Sequence, residues 1–472
     1  MAPATEPLLA LPPPLCGTDR VGGVASRQGG LDVGGVDSFA RETVLVRLPK
    51  ILETTLAENA GAFDAEVLSK LALIAAGLAA ADEDGHVVAI GADGGEDMTC
   101  WNEHLCSLGC NIPGMCSSWA GIPWWTCENY LYRRMLEATG YFAPAGSCPG
   151  AGVDFFQSQK SRATDAAAGA FALLAAAHEA ELAGAGRAAA GGGAAPVWAA
   201  HIGLLLRWSL WANHFDLSLT GGSVDAEGEA AAKCAALLEQ GEARLLASES
   251  DAALATLAAA GADSTVTFVL DNCGLELLAD LVLADGLLAR GAAGRVILQC
   301  KAQPVFVSDA MAKDITQAVD WIAARGVESC VALAARLTAA QAEGRLVVSP
   351  QRFYTTASPW WEMHPPSQAV QRHGPAPNPY GPGVLTEFGG SALAIVKGDA
   401  NYRRLLGDLK WERHVPFNSV VSYFPCGIMA LRTCKSEVLV GVPKERQDEA
   451  AAEDPKWLVN GRYGVMQYAH PR

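Results

Sequence analysis

The spacing of apolar residues divides the chain into two parts. From Ser38 onward, apolar side chains recur every three to four residues, which is the period of an amphipathic helix. The same period returns several times before residue 262, so we predict a mainly helical domain over residues 37–262. The predicted helices include residues 63–80, 124–139, 163–184, 197–210, 224–247 and 251–260.

After residue 263 the pattern changes to short, wholly apolar runs that alternate with helical stretches. Such runs are typical of strands in a parallel sheet that is covered on both faces. We therefore predict an α/β domain over residues 263–472, doubly wound and Rossmann-like, with a mainly parallel sheet. The predicted strands are residues 265–270, 295–300, 346–348, 392–396 and 438–442. Ligands of these sheets bind at the carboxyl ends of the strands.

Three segments depart from both patterns. Residues 1–36 are rich in Pro and Gly, which predicts a flexible N-terminal arm, and the Gly/Ala tract at 183–196 predicts a linker. Residues 97–121 form a Cys-rich insertion that also contains His104. Its cysteines are separated by five, three and five residues rather than paired as CxxC, so free or structural thiols are favoured over a zinc site.

Composition narrows the classes of protein that fit. The 472 residues include 35 basic and 51 acidic side chains, for a net charge of −16, so we expect no nucleic-acid partner of the usual basic kind. No uninterrupted apolar run is long enough to span a membrane, so we expect no association with a membrane. The 13 cysteines are scattered through apolar and helical stretches, which favours a reducing compartment. We expect a cytoplasmic location, with an organelle left open and any protein partner unknown.

Polar residues follow the first two predicted strands. Asp271 and Asn272 come directly after residues 265–270, and Gly274 then permits a tight turn into a helix. Two oxygen ligands beside a helix N-terminus suit Mg²⁺ or Mn²⁺ next to a phosphate. Asp309 follows another apolar run and would add a third oxygen, as in metal-assisted hydrolysis. The alternative is that these residues only cap helices.

Basic and polar groups follow the later strands. The strand at 392–396 leads into Lys397, Gly398, Asp399, Ala400 and Asn401, which would meet at the same edge of the sheet. A lysine ammonium is a point charge suited to phosphate. Near the C-terminus, Arg432 and Lys435 are three residues apart and could clamp a phosphate, although a surface charge pair is the simpler alternative.

Taken together, these motifs resemble the metal-dependent damage-control phosphatase family, in its RTxK branch, which contains proteins also named acidic residue methyltransferase. The segments that carry the resemblance are SFARETVLVRLPKI, PWW with ENYLYRRM, LWANHFDLSL, DNCGLELLADLVLADGLL, PVFVSDA, FYTTASPWWEM, IVKGDANYRRLLGDLKW and RTCKSE. The chain departs from the family at Ala212, where LWGN has glycine, and at Cys273, where DNAG has alanine. Both changes exchange one small residue for another.

The resemblance implies a site and an activity. Asp271, Asn272 and Asp309 would be the catalytic metal ligands, for Mn²⁺ or for Ni²⁺, Co²⁺ or Mg²⁺. Substrate would be bound by Asp271, Asn272, Lys397, Gly398, Asp399, Ala400, Asn401 and Lys435. The implied reaction is hydrolysis of small phosphorylated metabolites, such as fructose 1-phosphate and fructose 6-phosphate, in metabolite repair. We further expect Asn213 and Asp216 to reach the substrate from the helical half, and Trp211 or Trp360 to wall the pocket between the helical half and the α/β half.

The same branch implies a second activity, S-adenosylmethionine-dependent O-methylation of glutamate carboxyl groups in proteins. Glu276, Asp309 and an arginine of the YLYRR stretch, Arg133 or Arg134, would then contact the cofactor. A Gly-rich loop after the first strand is the usual mark of such a cofactor site, and no GxGxxG motif follows a strand here. The DNCG sequence suits a metal instead, so the residues favour the phosphatase.

Overall fold

The computed structural model describes residues 39–81, 85–110, 118–184, 196–219, 236, 238–365 and 378–470, with side chains of the 196–219 segment described as far as residue 212. The predicted arm at 1–36, residues 185–195 of the predicted linker and most of the predicted helix at 224–247 lie outside the described residues.

Within the described part of the chain, seven strands form one sheet. They are β1 (Leu245–Ser248), β2 (Thr265–Val269), β3 (Arg295–Lys301), β4 (Leu346–Gln351), β5 (Leu393–Lys397), β6 (Gly427–Thr433) and β7 (Gly464–Ala469). The strand order is β1-β7-β6-β5-β2-β3-β4, and every neighbouring pair is parallel except β6 and β7. The predicted α/β class with a mainly parallel sheet is confirmed.

Helices cover both faces of the sheet and make up the N-terminal region, as predicted. They are Phe39–Glu42, Leu48–Asn59, Ala65–Ala79, Met98–Ser107, Trp124–Thr139, Gln157–Ala166, Ala168–Gly184, Ala199–Leu219, Ser250–Ala260, Leu275–Ala289, Ala312–Ala323, Glu328–Ala342, Gly381–Gly389, Gly398–Leu405, Phe417–Val420 and Lys444–Glu453. A π-helical turn, Thr43–Arg47, joins the first two. No single helix of the described ranges is long and apolar enough to cross a membrane, although the bent pair Gln157–Ala166 and Ala168–Gly184 meets that test jointly.

Two details of the prediction are wrong. The strand expected at 438–442 is a buried irregular segment, because loop backbone and side chains satisfy its polar groups: Gly441 N donates to Val415 O at 2.8 Å, and Gln467 Nε2 donates to Val440 O at 2.6 Å. The helix expected to continue to residue 247 is replaced at its end by β1, which pairs with β7 at the edge of the sheet.

Among the residues that the structure describes, three hydrophobic cores stabilise the fold. One packs Leu206 and Leu278 against Val266 on one face of the sheet, and the second covers the other face around Trp360. The third lies among the N-terminal helices and reaches Val305 in the loop after β3. Burial of apolar area supplies the main driving force for all three. The division of the chain at residue 262 stays a prediction.

The topology determines where a ligand can bind. From β2 the chain adds β3 and β4 on one side, and then returns to place β5 on the other side of β2. The boundary between β2 and β5 is therefore a topological switch point, where connections leave in opposite directions and open a crevice at the carboxyl ends.

Candidate active site

A cleft of ≈ 280 Å³ lies at the carboxyl ends of the strands around the switch point. Two groups of residues line it, and we name them by their origin. The sheet-edge wall consists of Asp271, Asn272, Glu276, Ser308, Asp309 and Lys435. The helical wall consists of Phe39, Arg47, Trp124, Glu128 and Tyr132. The helix start at Gly398, Asp399 and Ala400 also lines the cleft.

Backbone hydrogen bonds bring the ends of β2 and β3 together. Ala310 N donates to Asp271 O at 2.8 Å, and Cys273 N donates to Ser308 O at 2.7 Å. An isolated antiparallel bridge also joins Asn272 to Asp309. The structure therefore places Asp271, Asn272 and Asp309 side by side in one cleft.

The Asp271 carboxylate is buried and only partly satisfied. Its Oδ2 accepts a hydrogen bond from Asn272 Nδ2 at 2.7 Å, whereas Oδ1 is buried without a hydrogen-bond partner among the described residues. Burial raises the pKa of Asp271 well above its ordinary value, and the charges of Asp309 and Glu276 raise it further. An unpaired oxygen beside other carboxylates is destabilising for the protein alone and would be stabilised by a cation.

Asp309 is paired with a lysine that the sequence reasoning missed. Lys301 Nζ lies 2.9 Å from Asp309 Oδ2 and also donates to Asn401 Oδ1 at 3.2 Å. Burial raises the pKa of Asp309 to about 6, although the Lys301 charge lowers it. The only sequence signal for Lys301 is that a charged residue ends the otherwise apolar strand β3.

The donor set fits a divalent cation with several open positions. The described residues contain no group of three His, Cys, Asp or Glu side chains arranged to hold a metal. A cation here would therefore rest on the carboxylates of Asp271 and Asp309 and the amide of Asn272, with other positions open to water and phosphate oxygens. The unpaired Oδ1 of Asp271 supports this fit.

Asn272 would have to turn its amide to ligate through oxygen. Its Nδ2 faces Asp271 and also donates to Glu276 Oε2 at 3.0 Å, while its Oδ1 accepts from Ser308 Oγ at 2.5 Å. A half-turn about the last side-chain bond exchanges the two ends of the amide. The Ser308 hydroxyl can pair with either end because it both donates and accepts.

Lys397 lies behind the sheet-edge wall rather than in the cleft. It is fully buried, donates to Ser209 O at 2.7 Å and to Glu276 Oε1 at 3.0 Å, and lies 3.2 Å from Asp280 Oδ1. Burial raises the pKa of Glu276, but the Lys397 charge and the Asn272 hydrogen bond outweigh burial and lower it overall. Lys397 thus holds Glu276 ionised, and its contact with a phosphate stays a prediction.

The helix that begins at Gly398 approaches Asp271 closely. Gly398 has a φ of 80°, and a Cβ atom there would lie 1.9 Å from Asp271 Oδ2, so a side chain does not fit. Asp399 Oδ1 accepts from Arg432 Nε at 2.7 Å and from Lys435 N at 3.0 Å. This joins the RTCK turn to the start of the helix, and the Lys435 side chain lines the cleft.

Asn401 does not line the cleft. Its buried Nδ2 donates to Leu270 O at 3.1 Å and Lys397 O at 2.8 Å, which ties the ends of β2 and β5 together. Its predicted contact with substrate has no support from this placement, and its position suits a structural link across the switch point.

The arginines expected at a methyl-donor site lie elsewhere. Arg133 is buried and donates from Nη1 to Asp93 Oδ2 at 2.7 Å and from Nε to Asp97 Oδ1 at 2.9 Å. Arg134 pairs with Glu137 and lines a different cleft. The third predicted cofactor contact, Glu276, does line the cleft, together with Asp309.

Four further residues were expected to reach the substrate or to wall the pocket. Asn213 and Asp216 belong to the helix Ala199–Leu219, but their side chains lie outside the described residues. Trp211 and Trp360 are buried in the cores, so the expectation that one of them walls the pocket is wrong. Trp124 is a tryptophan that lines the cleft instead.

Arg403 connects the helix that begins at Gly398 to the helical wall, and the sequence analysis did not predict it. Its Nη1 donates to Glu128 Oε2 at 2.7 Å, and its Nε donates to Asp408 Oδ1 at 2.7 Å. Its Cζ lies 3.5 Å from the centroid of the Trp124 ring, which is a close cation–π contact. Arg403 is one helical turn after Asp399, and that spacing is a signal that could have pointed to it.

A strained turn after β3 carries Phe306 and Ser308 into the cleft. Phe306 and Val307 have φ values of 51° and 65°, a region that is costly for a β-branched residue such as valine. The Phe306 ring lies 5.6 Å from that of Trp125 and 5.3 Å from that of Tyr132. Such strain persists where surrounding contacts hold it, and it is concentrated at functional sites.

The Cys-rich insertion is described only in part. Cys100 and Cys106 are free thiols, Cys110 is buried, and Cys116 lies outside the described residues. The cysteines described elsewhere in the chain are also free thiols.

These features define a class: a doubly wound α/β protein with a carboxylate- and lysine-lined cleft at its switch point. Residues 44–451 match the family model described as Damage-control phosphatase ARMT1-like domain. That match covers most of the chain, and the protein belongs to this family.

Similar proteins carry the name Damage-control phosphatase ARMT1. The chain is 33% identical to the Mus musculus protein over 273 residues, which cover 57% of this chain and 58% of the relative. It is 28% identical to the Danio rerio protein over 402 residues, which cover 80% and 81%, and 30% identical to the Homo sapiens protein over 274 residues, which cover 57% and 58%. The matches with the mouse and human relatives thus span less than two thirds of their length.

Proposed function

We propose that the protein is a metal-dependent phosphatase that hydrolyses small phosphorylated metabolites, with fructose 1-phosphate and fructose 6-phosphate as expected substrates and metabolite repair as its role. The observation that carries this proposal is the buried, unpaired Oδ1 of Asp271 in a cleft that also holds Asp309 and Lys435. Family membership supports the same reading.

The cation, when bound, would supply positive charge to the phosphate oxygens; Mn²⁺ is the first choice, with Ni²⁺, Co²⁺ or Mg²⁺ as alternatives. Asp271, Asn272 and Asp309 would hold it. Lys435 would contact another phosphate oxygen, since its side chain lines the cleft and makes no ion pair with another described residue.

Protein contacts hold the charged groups around the cleft in position before a phosphate binds. Asp399 holds the turn that carries Lys435, and Lys397 holds Glu276. In the reaction, the oxygen of water bonds to phosphorus, the ester P–O bond breaks, and the departing oxygen takes a proton. Pre-positioned charge lowers the barrier because little reorganisation is needed as the transition state forms.

The methyltransferase alternative has less support. It requires Arg133 or Arg134 to meet S-adenosylmethionine beside Glu276 and Asp309. Arg133 instead satisfies two buried carboxylates, Asp93 and Asp97, which would be left unpaired if it turned away.

The test is phosphate release from a panel of sugar phosphates by purified full-length protein. We expect release from fructose 1-phosphate or fructose 6-phosphate that stops with EDTA and returns with excess Mn²⁺. A parallel assay follows methyl incorporation into protein from labelled S-adenosylmethionine. Release that is absent or unaffected by EDTA would overturn the proposal, and methyl incorporation without release would favour the alternative.

A further inference from the structure

The helical wall contains a cation that is not paired with any other residue that the structure describes. Arg47 is exposed, lines the cleft, and makes no hydrogen bond or ion pair with another described residue. It ends the π-helical turn Thr43–Arg47, and such turns occur frequently at functional sites. Burial raises the pKa of Tyr132, another residue of the helical wall, and the Arg47 charge offsets part of that rise.

Other cations around the cleft already have acidic partners. Arg403 pairs with Glu128, Arg432 with Asp399, and Lys301 with Asp309. Lys397 lies between Glu276 and Asp280. Within the described chain, Lys435 and Arg47 thus stand out as cleft cations whose side chains lack an ion pair.

Lys435 and Arg47, the two cleft cations without an ion pair among the described residues, act on different walls of the cleft. The Lys435 charge acts on Asp271 and Glu276 in the sheet-edge wall, where the phosphate is proposed to bind. The Arg47 charge acts on Tyr132 in the helical wall. Trp124, which lines the cleft in the same wall, also has a buried Nε1 without a hydrogen-bond acceptor among the described residues. The helical wall therefore offers donors that lack acceptors in the described part of the chain.

We propose that Arg47 is a specificity-determining residue that binds a second anionic group of the substrate, at the end opposite the phosphate. The inference rests on the proposed phosphatase function and adds to it a preference for doubly anionic substrates, such as phosphorylated sugar acids. A carboxylate matches the planar, forked donors of a guanidinium in a bidentate contact.

A matched pair of substrates tests this inference. 6-Phosphogluconate and sorbitol 6-phosphate share one carbon chain and one phosphate ester, and differ only in whether the far end is a carboxylate or a primary alcohol. The measurement is kcat/KM for both compounds with Mn²⁺. We expect wild-type protein to prefer 6-phosphogluconate, and Arg47→Met to reduce this preference about ten- to a hundredfold, because charged hydrogen bonds contribute energies in that range.

The control is Lys50→Met, which removes one positive charge from the same helical segment but not from the cleft. Both substitutions keep a good helix former. We expect Lys50→Met to leave the preference within about twofold of wild type, since an exposed charge away from the ligand is screened by water and salt.

The outcomes separate this inference from the proposed function. If Arg47→Met left the ratio of the two kcat/KM values unchanged, whether or not both values fell, the role of Arg47 would be overturned. Phosphate release from sorbitol 6-phosphate would still support the phosphatase. If neither these compounds nor the fructose phosphates released phosphate, both proposals would be overturned.

Discussion

The two walls of the cleft are held by different forces. In the sheet-edge wall, carboxylates such as Glu276 and Asp309 are buried and held by buried lysines, so its geometry depends on paired charges. In the helical wall, Trp124 and Tyr132 are held by aromatic packing, and Phe39 contacts Trp124 with ring centroids 5.6 Å apart. Arg403, on the helix that begins at Gly398, contacts the helical wall through Glu128 and the Trp124 ring.

This difference indicates a division of labour. Buried charge is costly unless it is paired, so a wall built from carboxylates is justified only if it binds something positive. Aromatic surfaces hold a shape without placing charge near phosphorus. We therefore expect changes in the sheet-edge wall to affect metal binding and turnover, and changes in the helical wall to affect affinity and the choice of substrate.

The largest expected effect comes from Asp271→Asn. The change keeps the shape of the side chain but removes its charge, so we expect phosphate release to fall at least about 1,000-fold. The metal-free protein should become more stable, because the unpaired Oδ1 and the nearby carboxylates destabilise the ionised form. Turnover and thermal unfolding without metal measure both.

Asp263→Asn is the control for that change, since Asp263 is exposed just before the other end of β2. We expect Asp263→Asn to change neither the turnover nor the thermal unfolding of the metal-free protein. If Asp271→Asn lowered both the stability of the metal-free protein and its phosphatase activity, buried charge would not be what distinguishes the sheet-edge wall from the helical wall.

The next effect is on stability at the helix start. Gly398→Ala places a Cβ against Asp271 in a left-handed backbone conformation, and we expect a loss of about 3 kcal/mol in the free energy of unfolding. Gly383→Ala is a matched change, because the added Cβ would meet no atom within 4 Å. Urea denaturation of both variants should show the first destabilised and the second near wild type; equal stability would mean that Gly398 is not constrained by Asp271.

A partly buried carboxylate outside both walls shows the effect of burial on a carboxylate that lies away from the cleft. Glu362 is partly buried, its Oε2 has no hydrogen-bond partner in the described ranges, and burial raises its pKa to about 7. The folded state therefore holds this proton more tightly than the unfolded chain. The associated stability is fully present below the ordinary pKa of 4.5 and is lost as the pH rises through 7.

Glu362→Gln should accordingly be more stable than wild type by about 2 kcal/mol at pH 8 and indistinguishable from it at pH 4. Phosphate release should not change, because Glu362 lines neither wall. Unfolding measured across this pH range decides the matter, and a stabilisation of equal size at both pH values would show that titration is not its cause.

The smallest effect is expected in the helical wall. Trp124→Phe keeps a ring under Arg403 but removes the indole nitrogen and weakens the cation–π contact, so we expect KM to rise about three- to tenfold with kcat within about twofold. Trp321→Phe, remote from the cleft, is the control. A fall in kcat with unchanged KM would assign Trp124 to the chemical step instead.

The sheet-edge wall was largely predictable from the sequence because short apolar strands end at the same edge of a parallel sheet. Asp271 and Asn272 follow directly from that rule, whereas Asp309 follows the strained turn after β3. Lys397 shows its limit, since side chains alternate between the faces of a strand and a strand-end position does not reveal whether the side chain meets the ligand or the core.

The helical wall was not predictable in the same way. Its contacts join residues far apart in the chain, such as Glu128 and Arg403, whose positions differ by 275. No local period encodes such a contact. Strand β7 was missed for a related reason, because its antiparallel pairing with β6 breaks the alternation of strand and helix from which the other strands were inferred.

The central claim is that the carboxylates of the sheet-edge wall hold a divalent cation. Calorimetric titration of Mn²⁺ into metal-free wild type, Asp271→Asn and Asp309→Asn tests it directly and does not depend on knowing the substrate. We predict one ion per wild-type chain and affinity reduced at least about a hundredfold in both variants, since each loses a charged ligand. Unchanged Mn²⁺ affinity in both variants would contradict the account.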